Sequence, residues 1–134
     1  VDGNVTINGN ITLANGAFLG IVASGNISVN PTVGNAIAKA NPTSADANLT
    51  GAFFANGNFT GGTTGSQTDK QLVIYGSVAA DAELNGAGKV NAQRDLGIQN
   101  SVSPGVAFIW NPFLILNAPQ PFTDAVMDWK EVAP

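Results

Sequence analysis

Residues 3–13 read GNVTINGNITL, and this stretch indicates the fold more clearly than any other part of the chain. Apolar residues alternate with Thr and Asn at Val5, Ile7 and Ile11, which is the period-two pattern of a strand with one buried face. Gly9 interrupts the pattern, and a glycine within a strand usually marks a bend, a bulge or a close backbone approach. We therefore predict a strand that turns a corner at Gly9 and then continues.

The same succession of Gly, Asn or Ser, an apolar residue and a small residue recurs along the chain. Further copies begin at Gly25, at Gly57 and, more weakly, at Gly76, so that the spacings are 16, 32 and 19 residues. Stacked coils about 4.8 Å apart require the same residue type at the same place in each coil. The predicted structural repeat comprises Gly9, Asn10, Gly25, Asn26, Gly57, Asn58 and Gly76.

This repeat predicts an all-β protein, a single-domain parallel β-solenoid spanning residues 1–134. Its coils occupy about residues 3–90, carry long loops and are expected to be right-handed. Asn suits such coils because it tolerates left-handed turns and its amide can form a ladder with Asn residues above and below. An antiparallel β-sandwich remains the alternative, since Asn8-Gly9 and Asn56-Gly57 also suit two-residue hairpin turns.

The most hydrophobic stretch runs from Val106 to Leu116, and it suggests a cap on the last coil. An uncovered coil exposes a strand edge and the core, so we predict that Phe108, Trp110 and Phe113 close that end, within a capping and C-terminal segment of residues 91–134. The stretch is too short to span a membrane. Because patterned sequence starts directly at the first residue, we expect an N-terminal segment to have been removed by processing or truncation.

The composition of the chain argues against a catalytic or metal-binding function. The 134 residues include no His and no Cys, only 10% are charged, and the net charge is -4. The usual catalytic nucleophile-base pairs and transition-metal ligands are therefore missing, and no cluster of Lys and Arg is available to neutralise phosphates. We predict that the protein is not an enzyme, has no cofactor and no metal site, and does not bind nucleic acid. The lack of Cys weakly favours an extracellular location.

One pair of acids supports a less favoured reading as a carbohydrate-active enzyme. Asp81 and Glu83 would share one face of a strand, and acid-base cleavage of a sugar needs two carboxyls at a fixed separation. Two solvated charges beside a turn explain them more simply. Asn-x-Ser/Thr sequons also occur within the repeat, where a structural origin suffices; they are at Asn4, Asn10, Asn26, Asn48 and Asn58.

Contact surfaces are predicted in two places. Residues 41–48 and 61–70 have loop composition and are expected to be the variable contact elements. Val22, Phe54 and Val73 fall at positions that point away from the core of their coils. Such an apolar outer stripe is either covered by loops or the C-terminal segment, or it is a surface for a partner.

Residues 3–13 resemble the solenoid portion of bacterial type IV pilus-associated proteins of the PilX type. The runs QLVIYGSV at residues 71–78, QRDLG at residues 93–97 and WKEVAP at residues 129–134 look like the C-terminal region of related surface proteins from uncultured bacteria. Residues 3–13 are also similar to bactofilins, which polymerise by stacking open solenoid ends.

These resemblances imply a non-enzymatic extracellular or cell-surface module with structural or adhesive duties, associated with a pilus or displayed on the envelope. The implied partners are other copies of the chain, pilus or envelope proteins, and surface glycans. The similarity to bactofilins implies an alternative function, a self-assembling filament subunit that stacks through open solenoid ends.

Overall fold

The computed structural model describes residues 1–81 and 88–119, which are mostly strands and loops with little helix. The strands are β1 (Val5–Ile7), β2 (Gly20–Ala23), β3 (Ile27–Val29), β4 (Leu49–Ala55), β5 (Phe59–Thr60), β6 (Leu72–Ala80), β7 (Val90–Asn91) and β8 (Val106–Ile109). Within these ranges, helical structure is limited to 3-10 helices at Ser44–Asp46 and Gly97–Ser101 and to the single-turn helix α1 (Phe113–Leu116).

The strands form two parallel sheets, and the chain passes from one sheet to the other after every strand. The odd-numbered sheet has the order β1-β3-β5-β7, and the even-numbered sheet has the order β2-β4-β6-β8. Every neighbouring pair in both sheets is parallel. Consecutive strands therefore face each other across the core instead of pairing as hairpins, which is the pairing that two-residue turns would produce.

The core lies between the two sheets and is built from rows of apolar side chains. In the odd-numbered sheet, Val5, Ile27 and Phe59 are in register on successive strands. In the even-numbered sheet, Phe53 of β4 is in register with Ile21 of β2. The Phe53 and Phe59 rings meet across the interior with their centroids 6.2 Å apart. Both rings are fully buried, so this contact joins the sheets at the centre of the core.

An asparagine ladder runs along the corners where the chain passes from the even-numbered to the odd-numbered sheet. The Asn4 side-chain oxygen accepts the backbone N–H of Asn26 at 2.8 Å, and that of Asn26 accepts the N–H of Asn58 at 2.7 Å. The Asn58 oxygen then accepts the N–H of Lys89 at 3.0 Å. Each amide thus satisfies a donor in the next layer, and the ladder ends where lysine replaces asparagine.

The register corrects the predicted repeat at its first copy. Gly3, and not Gly9, lies beside Gly25, whose N–H donates to the Gly3 carbonyl at 3.0 Å. Asn10 lies at the opposite kind of corner, next to Ile11, which bridges to β4. Gly and Asn occur at both kinds of corner. The 16-residue spacing between Gly9 and Gly25 therefore relates two corners of different kinds, and it is not the length of one coil. Layers of the ladder are 22, 32 and 31 residues apart.

The last predicted copy is also corrected, because Gly76 is not a corner. It lies within the nine-residue strand β6, directly opposite Gly51 of β4. The position that stacks on the Gly57 corner is Gly88, where an added Cβ would lie 2.5 Å from the Gly57 carbonyl oxygen. Packing between strands requires a glycine at position 76, since an added Cβ there would lie 1.9 Å from the Gly51 carbonyl oxygen. The residues that follow Gly76 resemble the corner sequence without forming a corner.

Replacing Gly57 with Val is expected to lower the free energy of unfolding by about 1–3 kcal/mol. A Cβ at this corner would lie 2.4 Å from the Asn26 side-chain oxygen, which would have to abandon its bond to Asn58. Urea denaturation measures the loss. Gly9→Val is the matched control, because a Cβ at Gly9 meets nothing within 4 Å. Equal stability of the two variants would contradict a close-packed corner.

The predicted cap differs from the observed C-terminal region. Strand β8 does form one edge of the even-numbered sheet, but the aromatic side chains of Phe108, Trp110 and Phe113 are 48%, 64% and 58% exposed. Phe108 continues an inward-facing row from Ile74, and within the described residues no strand pairs with β8 on its far side. Within α1, the aliphatic Leu114 is buried and the Phe113 ring is exposed. The predicted aromatic cap is therefore wrong for all three rings, which remain largely in contact with solvent.

Candidate functional site

The acidic pair predicted for catalysis lies partly outside the residues that the structure describes. Asp81 follows β6 directly, and Glu83 lies outside the described residues. Across residues 1–81 and 88–119, His, Cys, Asp and Glu side chains form no group of three or more that could hold a metal ion. The same ranges contain no helix of the length and apolarity needed to cross a membrane.

The loop before β4 is held by buried amide side chains. Gln71 is fully buried, and its side-chain nitrogen donates to the carbonyls of Lys39 at 2.8 Å and Pro104 at 2.9 Å. Its side-chain oxygen accepts the Lys39 N–H at 2.9 Å. One side chain therefore ties this loop to the segment that precedes β8, and both segments keep a fixed position against β6.

Asn48 fixes the other end of the same loop and is 2% exposed. Its oxygen accepts the N–H of Val73 at 2.9 Å, and its nitrogen donates to the side-chain oxygen of Asn35 at 3.0 Å. Val73, at a position predicted to point away from the core, is fully buried under this loop. The sequon at Asn48 is therefore a structural feature, because the nitrogen that a glycan would occupy is buried and hydrogen-bonded.

Arg94 is buried and fastens several loops to one another. Its guanidinium donates to the Gly61 carbonyl at 2.5 Å and to the carbonyls of Pro31, Val33 and Lys70 at 2.7, 3.0 and 3.0 Å. A fifth bond reaches the Asn30 carbonyl at 3.1 Å. Burial lowers the pKa of the guanidinium, while the negative charge of Asp69 opposes that shift. Only a planar, fork-shaped donor can serve so many acceptors at once.

Asp69 fixes the base of the loop at residues 61–70. One carboxylate oxygen accepts the N–H and the hydroxyl of Thr64 at 2.9 and 2.7 Å, and the other accepts the Asp95 N–H at 2.7 Å. Burial raises the pKa of this carboxyl, but hydrogen bonds from Asp95, Thr63 and Thr64 outweigh burial and hold the pKa at about 2. The carboxylate is therefore ionised and structural at neutral pH.

We expect Asp69 to make the protein less stable in acid. Its pKa is lower in the folded chain, about 2, than the ordinary 3.8, so its contribution is complete above about pH 4 and is lost as the pH falls through 2. The loss amounts to about 2 kcal/mol. Urea denaturation of the wild type and of Asp69→Asn should show different midpoints at pH 6, and the two midpoints should converge as the pH falls to 2. A constant difference between the two proteins would contradict this assignment.

An open groove of about 680 Å³ lies on the outer face of the even-numbered sheet. The turn at residues 12–17 forms one wall, and Ser44, Ala45 and Ala47 beside the first 3-10 helix form another. The third wall is the segment that contains Asn111, Phe113 and Asn117. The groove is thus assembled from segments that are far apart in sequence.

The floor of the groove is a row of hydroxyl-bearing residues on neighbouring strands. Thr50 of β4 is in register with Tyr75 of β6, and Ile11 bridges to Leu49, which places Thr12 next to Thr50. Parallel strands are about 4.8 Å apart, so the row presents one side chain at each such interval. The Thr50 N–H donates to the Ile11 carbonyl at 2.8 Å, which fixes this register.

The walls add amides and an aromatic ring. The Asn111 side-chain oxygen accepts the Phe113 N–H at 3.0 Å and so sets the start of α1, from which the Phe113 ring projects, more than half exposed. Asn15 stands exposed in the turn opposite. None of the residues that line the groove is charged. The nearby Asp46 carboxylate is paired with Lys39 and also accepts a hydrogen bond from the Thr43 N–H. The hydrogen bond from Lys39 is the main cause that lowers the pKa of Asp46.

A smaller, mostly apolar cleft of about 340 Å³ lies beside the groove, between α1 and the outer face of the even-numbered sheet. Phe54 and Ala52 of β4 line it together with Leu114 and Ile115. The outward-facing Phe54 is therefore partly covered by the C-terminal helix, whereas Val22 remains 46% exposed. The outer apolar stripe predicted from the sequence is therefore not one continuous surface. Val73 is covered by a loop, Phe54 is partly covered by α1, and Val22 is exposed to solvent.

Sequence reasoning singled out Phe113 as a cap and Asn48 as a sequon, but it did not find the groove. Period-two patterns identify which residues face outward, yet they do not show which of those residues later segments cover. The one indication of the groove in the sequence is Tyr75, a large polar aromatic residue at an outward-facing position of β6. No family model matches the chain, and neither a curated protein nor a solved structure matches it significantly.

Proposed function

We propose that this chain is a non-enzymatic β-solenoid module that binds a partner at a bacterial surface through the neutral groove. The solenoid interpretation is supported by the alternation of strands between two parallel sheets and by the asparagine ladder along one set of corners. A surface or pilus location follows the resemblance to PilX-type proteins and remains part of the proposal.

The observation that carries the binding role is the composition of the groove, together with the continuous strand pairing beneath it. Its floor rests on strands β4 and β6, whose seven paired positions form the longest register in the two sheets. Its lining offers hydroxyls, amides and aromatic rings, and it contains no His, Cys, Asp, Glu or Lys, the side chains that most often serve general acid-base catalysis. Such a lining orients a ligand and does not transform it.

The proposal predicts that adhesion depends on the groove. Beads coated with the purified chain should be retained on bacterial or epithelial cell surfaces, and the double variant Asn15→Ala, Phe113→Ala should lose most of that retention. Trp110→Ala is the matched control, because Trp110 is a comparably exposed aromatic residue that does not line the groove. Retention that is equal for all three proteins would refute binding through the groove.

A second candidate function, a filament subunit that stacks end to end, is favoured by the β7/β8 end of the sheets. Val90 and Phe108 continue inward-facing core rows there, yet they are 45% and 48% exposed. A second copy placed on this end would bury them. Light scattering of the purified chain at rising concentration tests the idea. Growth in mass that Phe108→Asp abolishes would support it, and a monomer at every concentration would remove it.

A further inference from the structure

From the groove we infer a ligand class: it is a binding site for a neutral saccharide chain. This inference rests on the proposed binding function and adds the chemistry of the occupant. It follows from three properties of the site, which are the spacing of its hydroxyls, the combination of amides with aromatic faces, and the absence of charge from its lining.

The first property is the row formed by Thr12, Thr50 and Tyr75. Each hydroxyl both donates and accepts a hydrogen bond, as does each hydroxyl of a sugar. The row crosses neighbouring strands and extends over roughly 10 Å. A ligand that presents hydroxyls along its whole length matches such a row. A peptide that binds as an added strand would need a free strand edge, and the row lies on the face of the sheet.

The second property is the arrangement of rings and amides around that row. Phe113 presents an exposed face, and the negative π-surface of an aromatic ring attracts polarised C–H groups such as those on one side of a pyranose. Asn15 and Asn117 supply side-chain amides that pair with a donor and an acceptor together. An amphipathic sugar ring has both the C–H face and the hydroxyl rim that these residues complement.

The third property is electrostatic. The lining contains neither Lys nor Arg, and the Asp46 carboxylate, which lies in sequence between the lining residues Ala45 and Ala47, is already paired with Lys39 and Thr43. The chain carries a net charge of -4, so an acidic polysaccharide would meet repulsion without a local cation to offset it. A volume of about 680 Å³ falls within the range of about 300–1,000 Å³ for small-molecule sites and has room for more than one sugar ring.

The test measures binding of cellohexaose, mannohexaose, xylohexaose and chitohexaose at up to millimolar concentration by calorimetry, with hexagalacturonate as the acidic comparison. We expect at least one neutral hexasaccharide to bind the wild-type chain. Phe113→Ala should weaken that binding by about fivefold to tenfold. Tyr75→Phe should also weaken it, because this variant removes only the hydroxyl. Trp110→Ala should bind as the wild type does, and urea denaturation confirms that each variant is folded.

The outcomes separate this inference from the proposed function. If beads adhere to cells through the groove but no neutral hexasaccharide binds, the binding function holds and the saccharide class is wrong. Binding of hexagalacturonate alone, or binding that Phe113→Ala and Tyr75→Phe leave unchanged, also overturns the saccharide site. If neither adhesion nor saccharide binding depends on the groove, both proposals fail.

Discussion

Arg94→Met is expected to lower the free energy of unfolding by about 3–5 kcal/mol, a large part of the stability of a domain this size. The variant keeps most of the aliphatic bulk but removes all the donors that serve five backbone carbonyls. It also removes the positive charge that interacts with the buried Asp69. Buried carbonyls left without donors, and a buried carboxylate left without a compensating positive charge, cost more than the hydrogen bonds are worth in the intact protein. Urea denaturation at neutral pH measures the change.

Two comparisons sharpen that result. Lys89→Met removes a cation from an exposed side chain whose backbone alone takes part in the ladder, so its stability should stay near that of the wild type. Arg94→Lys restores the charge but not the forked geometry, and it should recover only a minor part of the loss. Full recovery by lysine would show that charge, and not the set of carbonyl contacts, accounts for the effect.

Gly76→Val is the second substitution with a large expected effect, about 3 kcal/mol or more, and the variant is expected to lose cooperative unfolding. An added Cβ would lie 1.9 Å from the Gly51 carbonyl oxygen and 2.9 Å from its carbonyl carbon. These are backbone atoms of the neighbouring strand, so relief requires β4 and β6 to separate. The pair β4 and β6 also forms the floor of the groove, and saccharide binding should disappear together with stability.

Gly9→Ala is the control for this substitution, because a Cβ at Gly9 has open space around it. It should be close to neutral in thermal and urea unfolding. Gly76→Ala should already be strongly destabilising, since the Cβ alone makes the collision. Stability of Gly76→Ala equal to that of Gly9→Ala would show that the two strands are farther apart than the structure places them.

Much of the architecture could be predicted from local pattern. Alternation in residues 3–13 and around Gly25 and Gly57 identifies strands with one buried face, and those strands are present. The predicted pairing of corners is wrong, because a strand followed by Gly and Asn has the same sequence pattern whichever sheet the chain is leaving. Register depends on which strands stack, and a single sequence with layers of 22, 32 and 31 residues does not reveal that.

The candidate site was harder to predict for a physical reason. Thr12, Thr50 and Tyr75 become neighbours only through the register of parallel strands, and Asn111 reaches them only because α1 folds back over the sheet. Buried polar residues such as Arg94 and Gln71 look like ordinary surface residues in the sequence. Their roles depend on backbone carbonyls, which every residue possesses and which therefore leave no compositional signal.

The asparagine ladder has a consequence for how such a protein can lengthen during evolution. Asn26 and Asn58 make the same kind of bond 32 residues apart, so a tandem duplication of the segment between them would join matching ends. The additional layer would meet its neighbours through contacts that the chain already has, and the stack would gain about 4.8 Å in height. The ladder cannot be extended beyond Lys89 in the same way, because a lysine side chain has no acceptor for a backbone N–H of a further layer. New layers are therefore expected to arise by duplication within the stack and not by addition at this end.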